Sequence, residues 1–259
     1  MSVIKADSEL NIHKENAISK LSKYIDELIT SDGIENKKKA DILCYWLSDY
    51  TQFIKREGKF SSKKLKRYKR GDILKVHLGF RIGSEEGGLH YAAVVENDNP
   101  ISSPVITVVP LTSVKGKTDN LPNGNIYLGN EIFNQISLKG KTLLSSNKIA
   151  VEEIKDKLMK ISSEEELEML NKQLDLLESK MLLMQKTVKE SEKMKRGSIA
   201  LVNQIVTISK IRIYDPKSSG DVLSGIRLSN VNLDKIDKCI LSKFTKNSHK
   251  SNKVLTNDK

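Results

Sequence analysis

The stretch Arg70-Gly71-Asp72-Ile73-Leu74-Lys75-Val76-His77-Leu78-Gly79 runs through Gly83-Ser84-Glu85-Glu86-Gly87-Gly88-Leu89-His90 into Tyr91-Ala92-Ala93-Val94-Val95-Glu96-Asn97-Asp98. Leu74, Val76 and Leu78 alternate with Lys75 and His77, the period of a half-buried strand. A loop of glycines and small polar residues follows, and then a nearly continuous apolar run that reads as a buried strand. Such an arrangement holds reactive side chains on a rigid frame.

Working outward, further strands are expected over residues 104–110, 125–128, 198–203 and 205–213. About six short strands separated by turn residues suit a small curled barrel. Helical patterns surround them. Leu10, Ala17, Ile18, Leu21, Tyr24, Ile25, Leu28 and Ile29 form one stripe, and Ile42, Leu43, Trp46, Leu47, Tyr50, Phe53 and Ile54 a second. Ser31-Asp32-Gly33 breaks the two apart, so residues 1–60 read as a helical hairpin that needs another surface, the barrel or a partner chain, to bury its face.

A long helix is expected to start near Ser162, capped by a Ser162/Glu165 pair. Leu167, Leu170, Leu174, Leu177, Met181, Met184 and Val188 follow in steps of three and four, a coiled-coil-like seam. That seam serves packing within the chain or between copies. Ser229-Asn230 opens a last helix with Val231, Leu233, Ile236, Ile240, Leu241 and Phe244 as its stripe. The domain reading is therefore a hairpin (1–60), a first barrel part (61–139), an inserted helical segment (140–195), a second barrel part with the C-terminal helix (196–246), and a polar, disordered tail (247–259). The fold class is α+β.

The formal net charge of +11 favours polyanionic partners: nucleic acid, an acidic protein or an anionic surface. Nine of the sixteen residues from 55 to 70 are Lys or Arg. This connector is either a solvated linker or an arm whose Lys64, Lys66 and Arg67 contact phosphates. No apolar run nears the length of a membrane span, and the N-terminus lacks a signal-peptide core, so a cytoplasmic protein is expected. Two cysteines, Cys44 and Cys239, sit among apolar neighbours and read as buried thiols. No His, Cys, Asp and Glu set has metal-ligand spacing, and neither a metal nor a cofactor is expected.

Arg-Gly-Asp-Ile at residues 70–73, the Gly-Ser-Glu-Glu-Gly-Gly loop and Val94-Val95-Glu96-Asn97-Asp98 together resemble the PemK/MazF family of toxin endoribonucleases. Val108-Val109-Pro110-Leu111-Thr112-Ser113, the block from Val202 to Lys210 and an amphipathic C-terminal helix follow in that family's order. The resemblance spans about residues 68–132 and 195–245. It implies a small barrel of the CcdB/MazF toxin type, a homodimer with an RNA groove, and an antitoxin protein laid over that groove.

It also implies site residues. A metal-free ribonuclease needs a base for the 2′-hydroxyl proton, an acid for the leaving oxygen and donors for the phosphorane. The family's basic loop residue corresponds to His90, its threonine to Thr112, and its acidic loop residue to Glu85, which would orient His90 or a base. Ser84, Ser113, Gln204 and Lys210 are expected along the RNA groove. Typical members end the loop in Arg; an imidazole both takes and gives protons near neutrality, where a guanidinium stays charged. Typical members also carry an Arg and an Asp where this chain has Val206 and Ser209. The expected activity is metal-independent cleavage of single-stranded RNA. Two rivals are a non-catalytic nucleic-acid-binding or regulatory module and a toxin that inhibits a protein target such as a topoisomerase.

Overall fold

In a computed structural model of the chain, which describes residues 6–116, 118 and 121–246, the alternation after Gly71 is the strand β1 (Ile73–His77). Six further strands are β2 (Leu89–Val94), β3 (Val105–Ser113), β4 (Asn125–Gly129), β5 (Ser198–Leu201), β6 (Val206–Ser209) and β7 (Ile213–Asp215). All pairings are antiparallel, in the order β4-β5-β3-β2-β1-β7, and β6 pairs with β3 alone. The nine-residue β3 serves two partners on one edge. Its first half, from Val105 to Val108, pairs with β6, and its last residues, Leu111 to Ser113, pair with β5.

The expected barrel is thus not closed. Closure needs a ladder between the first and last strands, and here β4 and β7 stay at opposite ends of the order. The expected strand over 205–213 also divides, because Lys210–Arg212 forms a turn of 3-10 helix between β6 and β7. What remains is a bent antiparallel sheet within a mixed α and β fold.

Two cores form on its two faces. Leu74, Val76, Ala92, Val94, Val108 and Ile208 pack with Tyr68 on one face. Ile73, Ala93, Val109, Leu111 and Ala200 pack on the other, beneath the helices, against Ile132, Ile136 and Ile236. The face that carries Lys75 and His77 is therefore covered too, which the simple alternation does not reveal.

Five helices complete the described residues: α1 (Asp7–Thr30), α2 (Ile34–Glu57), α3 (Glu131–Leu158), α4 (Glu164–Lys193) and α5 (Asn230–Phe244). Helix α3 begins directly after β4, ahead of the helical segment expected from residue 140, and is a separate helix before the one expected to start near Ser162. It packs along α4, with Gly140 facing Thr187 and Val188. Leu170, Leu177, Thr187 and Ser191 of α4 are buried, whereas Leu167, Leu174, Met181 and Val188 of the expected seam stay exposed. The cap of α4 lies one residue later than expected: Ser163 Oγ accepts from Glu166 N, and Glu166 accepts from Ser162 N at 2.9 Å.

Helix α2 reaches the sheet through Trp46, whose ring stacks on His77 at 4.8 Å. Most of α1 is exposed, with Leu28 its buried residue. Cys44 is exposed and Cys239 half-buried, so the expected burial of Cys44 is corrected: on α2 the packed side is the one that carries Ala40, Leu43 and Trp46, and Cys44 falls beyond its edge. The tail expected over residues 247–259 lies outside the described residues. Among the described residues, no helix is long and apolar enough to cross a membrane.

The Arg70-Gly71-Asp72 motif is a brace. Asp72 is almost wholly buried and accepts from the Arg227 guanidinium at 2.7 and 2.9 Å and from Lys69 N at 3.0 Å. Arg70 pairs with Asp237 of α5. Gly71 has φ 81°, and a Cβ there would press on the Arg227 and Leu233 side chains. The motif ties the start of β1 to the last helix.

Candidate active site

The loop between β1 and β2 is pinched at its base. Leu78 N donates to Gly88 O at 2.8 Å, and Gly88 N donates to Gly79 O at 2.7 Å. Its tip is held from the other half of the chain by Gln204, whose Nε2 donates to Ser84 O at 3.2 Å while its Oε1 accepts from Glu86 N. Gln204 was expected on RNA; its amide is instead spent on the loop, at both ends.

This clamp sets the acid that faces His90. Glu86 Oε1 lies 3.0 Å from His90 Nε2, whereas Glu85 turns to Arg81 at 3.7 Å. The acidic partner of the histidine is therefore Glu86. Adjacent residues in a loop point in different directions, and nothing in the local sequence distinguishes the two glutamates.

Across the ladder, Tyr91 pairs with Leu111, so His90, one step back, sits beside Thr112 on β3. Its Nδ1 lies 3.4 Å from Leu111 O, a loose contact. Glu86, His90, Thr112, Ser113, Lys115 and Lys193 line a cavity of about 340 Å³. Among these, Lys115 is the residue missed by sequence reasoning. It is exposed, and no carboxylate lies within 4 Å of it among the described residues. It follows the threonine-serine block by two residues, and that proximity is the signal the sequence offers for it. Beyond Glu86 lies a second hollow of about 450 Å³, lined by Arg81, Ser84, Glu85, Asn203 and Gln204.

Lys193 stands at the cavity edge but is already engaged. It holds Glu190 Oε2 at 2.8 Å, Lys75 holds Oε1 at 2.6 Å, and Tyr91 donates its hydroxyl to the same carboxylate. Burial pushes the Glu190 carboxyl up, but the bonds from Lys193, Lys75 and Tyr91 outweigh it and the net shift is downward. The Tyr91 phenol is pushed far up by burial and by Glu190, so it remains a donor. This cluster docks the end of α4 on the sheet beside the cavity.

The other basic candidates are committed elsewhere. Lys210 is buried, with Nζ 3.0 Å from Pro100 O and near the Tyr68 ring, so the expected RNA contact is corrected: its ammonium points inward. Lys66 is half-buried between Ser224 and Asp72, and Arg67 pairs with Asp98 at 2.8 Å. Lys64 is exposed on a separate cavity beside α2. The connector from 61 to 70 is thus laid against the sheet, with Tyr68 donating its hydroxyl to Pro216 O at 2.7 Å, and not held out as a free arm. Among the described residues, no three His, Cys, Asp or Glu side chains are grouped to hold a metal ion.

Residues 69–177 match the family model of the PemK-like, MazF-like toxin of type II toxin-antitoxin systems. The matched span takes in β1 to β4, the glycine loop, Thr112 and α3, and it ends within α4. No curated protein matches the chain.

Proposed function

We propose that this chain, which carries a PemK-like, MazF-like toxin domain over residues 69–177, cleaves single-stranded RNA without a metal. The 2′-hydroxyl attacks the neighbouring phosphorus, the 5′-oxygen leaves, and a 2′,3′-cyclic phosphate and a free 5′-hydroxyl result. His90 takes the 2′-hydroxyl proton and returns a proton to the leaving oxygen. Glu86 holds the hydrogen on Nε2 and fixes the ring, leaving the lone pair of Nδ1, 3.4 Å from Leu111 O, to take up and return the proton. Thr112 and Ser113 donate hydroxyl hydrogens to the phosphate oxygens, and Lys115 supplies the fixed positive charge. Ser84 and Glu85 would meet the neighbouring nucleotides in the second hollow.

The observation that carries this reading is the 3.0 Å His90–Glu86 contact in a cavity shared with Thr112. A type II toxin has an antitoxin partner, and a homodimer in the cytoplasm is part of the same proposal. Purified protein incubated with a mixed RNA, with and without EDTA, tests it. Cleavage unaffected by EDTA that leaves cyclic phosphate ends supports the reading, and intact RNA removes it.

A second reading has an observation of its own. Val206 and Ser209 replace an Arg and an Asp, and Gln204 and Lys210 are engaged within the protein. RNA binding without cleavage would favour a non-catalytic module on the same fold.

A further inference from the structure

Away from the His90 cavity, α2, the connector and the segment around β7 enclose a hollow of about 540 Å³. That volume falls in the range of small-molecule sites. Its walls are of two kinds. Phe53, Phe60, Leu65, Ile213 and Tyr214 supply apolar and aromatic surface, and Arg56, Lys59, Lys64, Arg212 and Lys217 supply cations. Asp49 is the acid on the lining, and it faces His77 at 3.5 Å.

These cations lack counterions. Among the described residues, none of Arg56, Lys59, Lys64, Arg212 and Lys217 has a carboxylate within 4 Å, although the same region pairs Lys66 with Asp72 and Arg67 with Asp98. Arg212 is half-buried, its Nε is enclosed with no hydrogen-bond partner, and its guanidinium lies 5.7 Å from the Trp46 ring. Converging like charges, one of them partly desolvated, is unfavourable unless an anion completes the group. An aromatic-lined hollow with unpaired cations at its rim fits a molecule that has a flat apolar part and a phosphate.

We propose that this hollow binds a nucleoside monophosphate, with its base against Phe53, Phe60 and Tyr214 and its phosphate among Arg56, Lys59, Lys64 and Lys217. The site is built from α2 and the connector together with β7, and it does not depend on the reaction assigned to His90. Its walls join the N-terminal helices to the sheet, so occupancy would fasten α2 to the sheet.

The chain has one tryptophan, and it stacks on His77 of the lining, so Trp46 fluorescence reports occupancy through that neighbouring ring. The full-length protein is titrated with adenosine, guanosine and uridine 5′-monophosphates, with the nucleosides, with inorganic phosphate and with a short RNA lacking a terminal phosphate. At least one monophosphate is expected to give a saturable change, and its nucleoside and inorganic phosphate to bind at least about tenfold more weakly, because each keeps half of the contacts. Lys59→Gln with Lys217→Gln should weaken the monophosphate by a similar factor while the circular dichroism stays unchanged; Arg56→Gln is the second variant if that pair does not fold.

Any of three results with the small ligands would overturn the proposal, and so would a fourth with RNA. The three are no saturable change up to about 10 mM monophosphate, equal binding of inorganic phosphate, or an affinity that ignores the substitutions. Binding of the RNA but of no monophosphate would also overturn it and make the hollow part of an RNA track. Loss of RNA cleavage in His90→Ala has no bearing on any of these outcomes.

Discussion

Nε2 of His90 lies 3.0 Å from Oε1 of Glu86, across the mouth of a loop that Gln204 holds from the far half of the chain. The pair gives the loop a chemical polarity. One ring nitrogen is fixed on a carboxylate, and the other faces a loosely held carbonyl beside Thr112.

His90→Ala should lower RNA cleavage by about a hundredfold or more, the scale of a lost general acid-base group. Glu86→Gln should lower it by at least about tenfold, because the ring loses the charge that orients it. Glu85→Gln should leave the rate close to wild type. If Glu85→Gln is the more damaging of the two, the pairing read from the fold does not operate in catalysis.

Lys115→Gln should weaken RNA binding and flatten its salt dependence. One lost phosphate contact on a single strand changes the slope of log affinity against log salt by about 0.7. Lys210→Met, by contrast, should alter thermal stability and leave that slope untouched, since its ammonium is bonded to Pro100 O. An unchanged slope in Lys115→Gln would exclude it as a phosphate contact.

Glu190→Gln should loosen α4 from the sheet. Lys75, with a side chain only 13% exposed, would lose its carboxylate, and removing one partner of such a pair costs about 3 kcal/mol. The melting temperature is the measurement, and a value within a degree of wild type would show that the cluster contributes nothing net.

Leu177→Asp should destabilise the protein much more than Leu174→Asp. Leu177 is buried on the helix that packs along α3, while Leu174 is 39% exposed. Equal and large effects would mean that the outer line of α4 is covered in solution, for instance by a second copy.

His77 carries a pH prediction. Burial lowers its pKa below the ordinary 6.5, with Arg212 acting the same way and Asp49 opposing. The unfolded chain then binds the proton more readily, so this contribution to stability is complete above about 6.5 and is lost as pH falls through the lower folded value. The melting temperature should fall across that window in wild type and fall less in His77→Phe, which keeps a ring on Trp46. Identical pH profiles would place the titrating group elsewhere.

The strands around the glycine loop were readable because each carries its own period of two and its own turn residues, which act over a few positions. The same holds for α5, whose cap Ser229 and buried Leu233 and Ile236 lie close in the chain. That the inserted helical segment begins at Glu131 with a separate α3 is not legible in the sequence, because its apolar positions are broken by Gly140 and polar residues. It is explained by the fold: Gly140 faces Thr187, and Asn147 is buried near Met184. The barrel expectation failed for a related reason. A sequence shows how many strands can form, but only pairing decides whether the first meets the last.

The site divides in the same way. That His90 and Thr112 stand together follows from strand positions and family resemblance, both legible along the chain. Which of two adjacent glutamates meets the histidine was settled by Gln204, 118 residues away from Glu86. Whether a lysine is a phosphate contact or a brace was likewise decided at long range, since Lys210, Lys66 and Lys193 are the same residue type as Lys115 and differ only in the partner the fold brings to each. Local periodicity and turn chemistry act between near neighbours and so are written in the order of residues. Charge pairing and burial depend on groups far apart in sequence, and those meet only once the chain has folded.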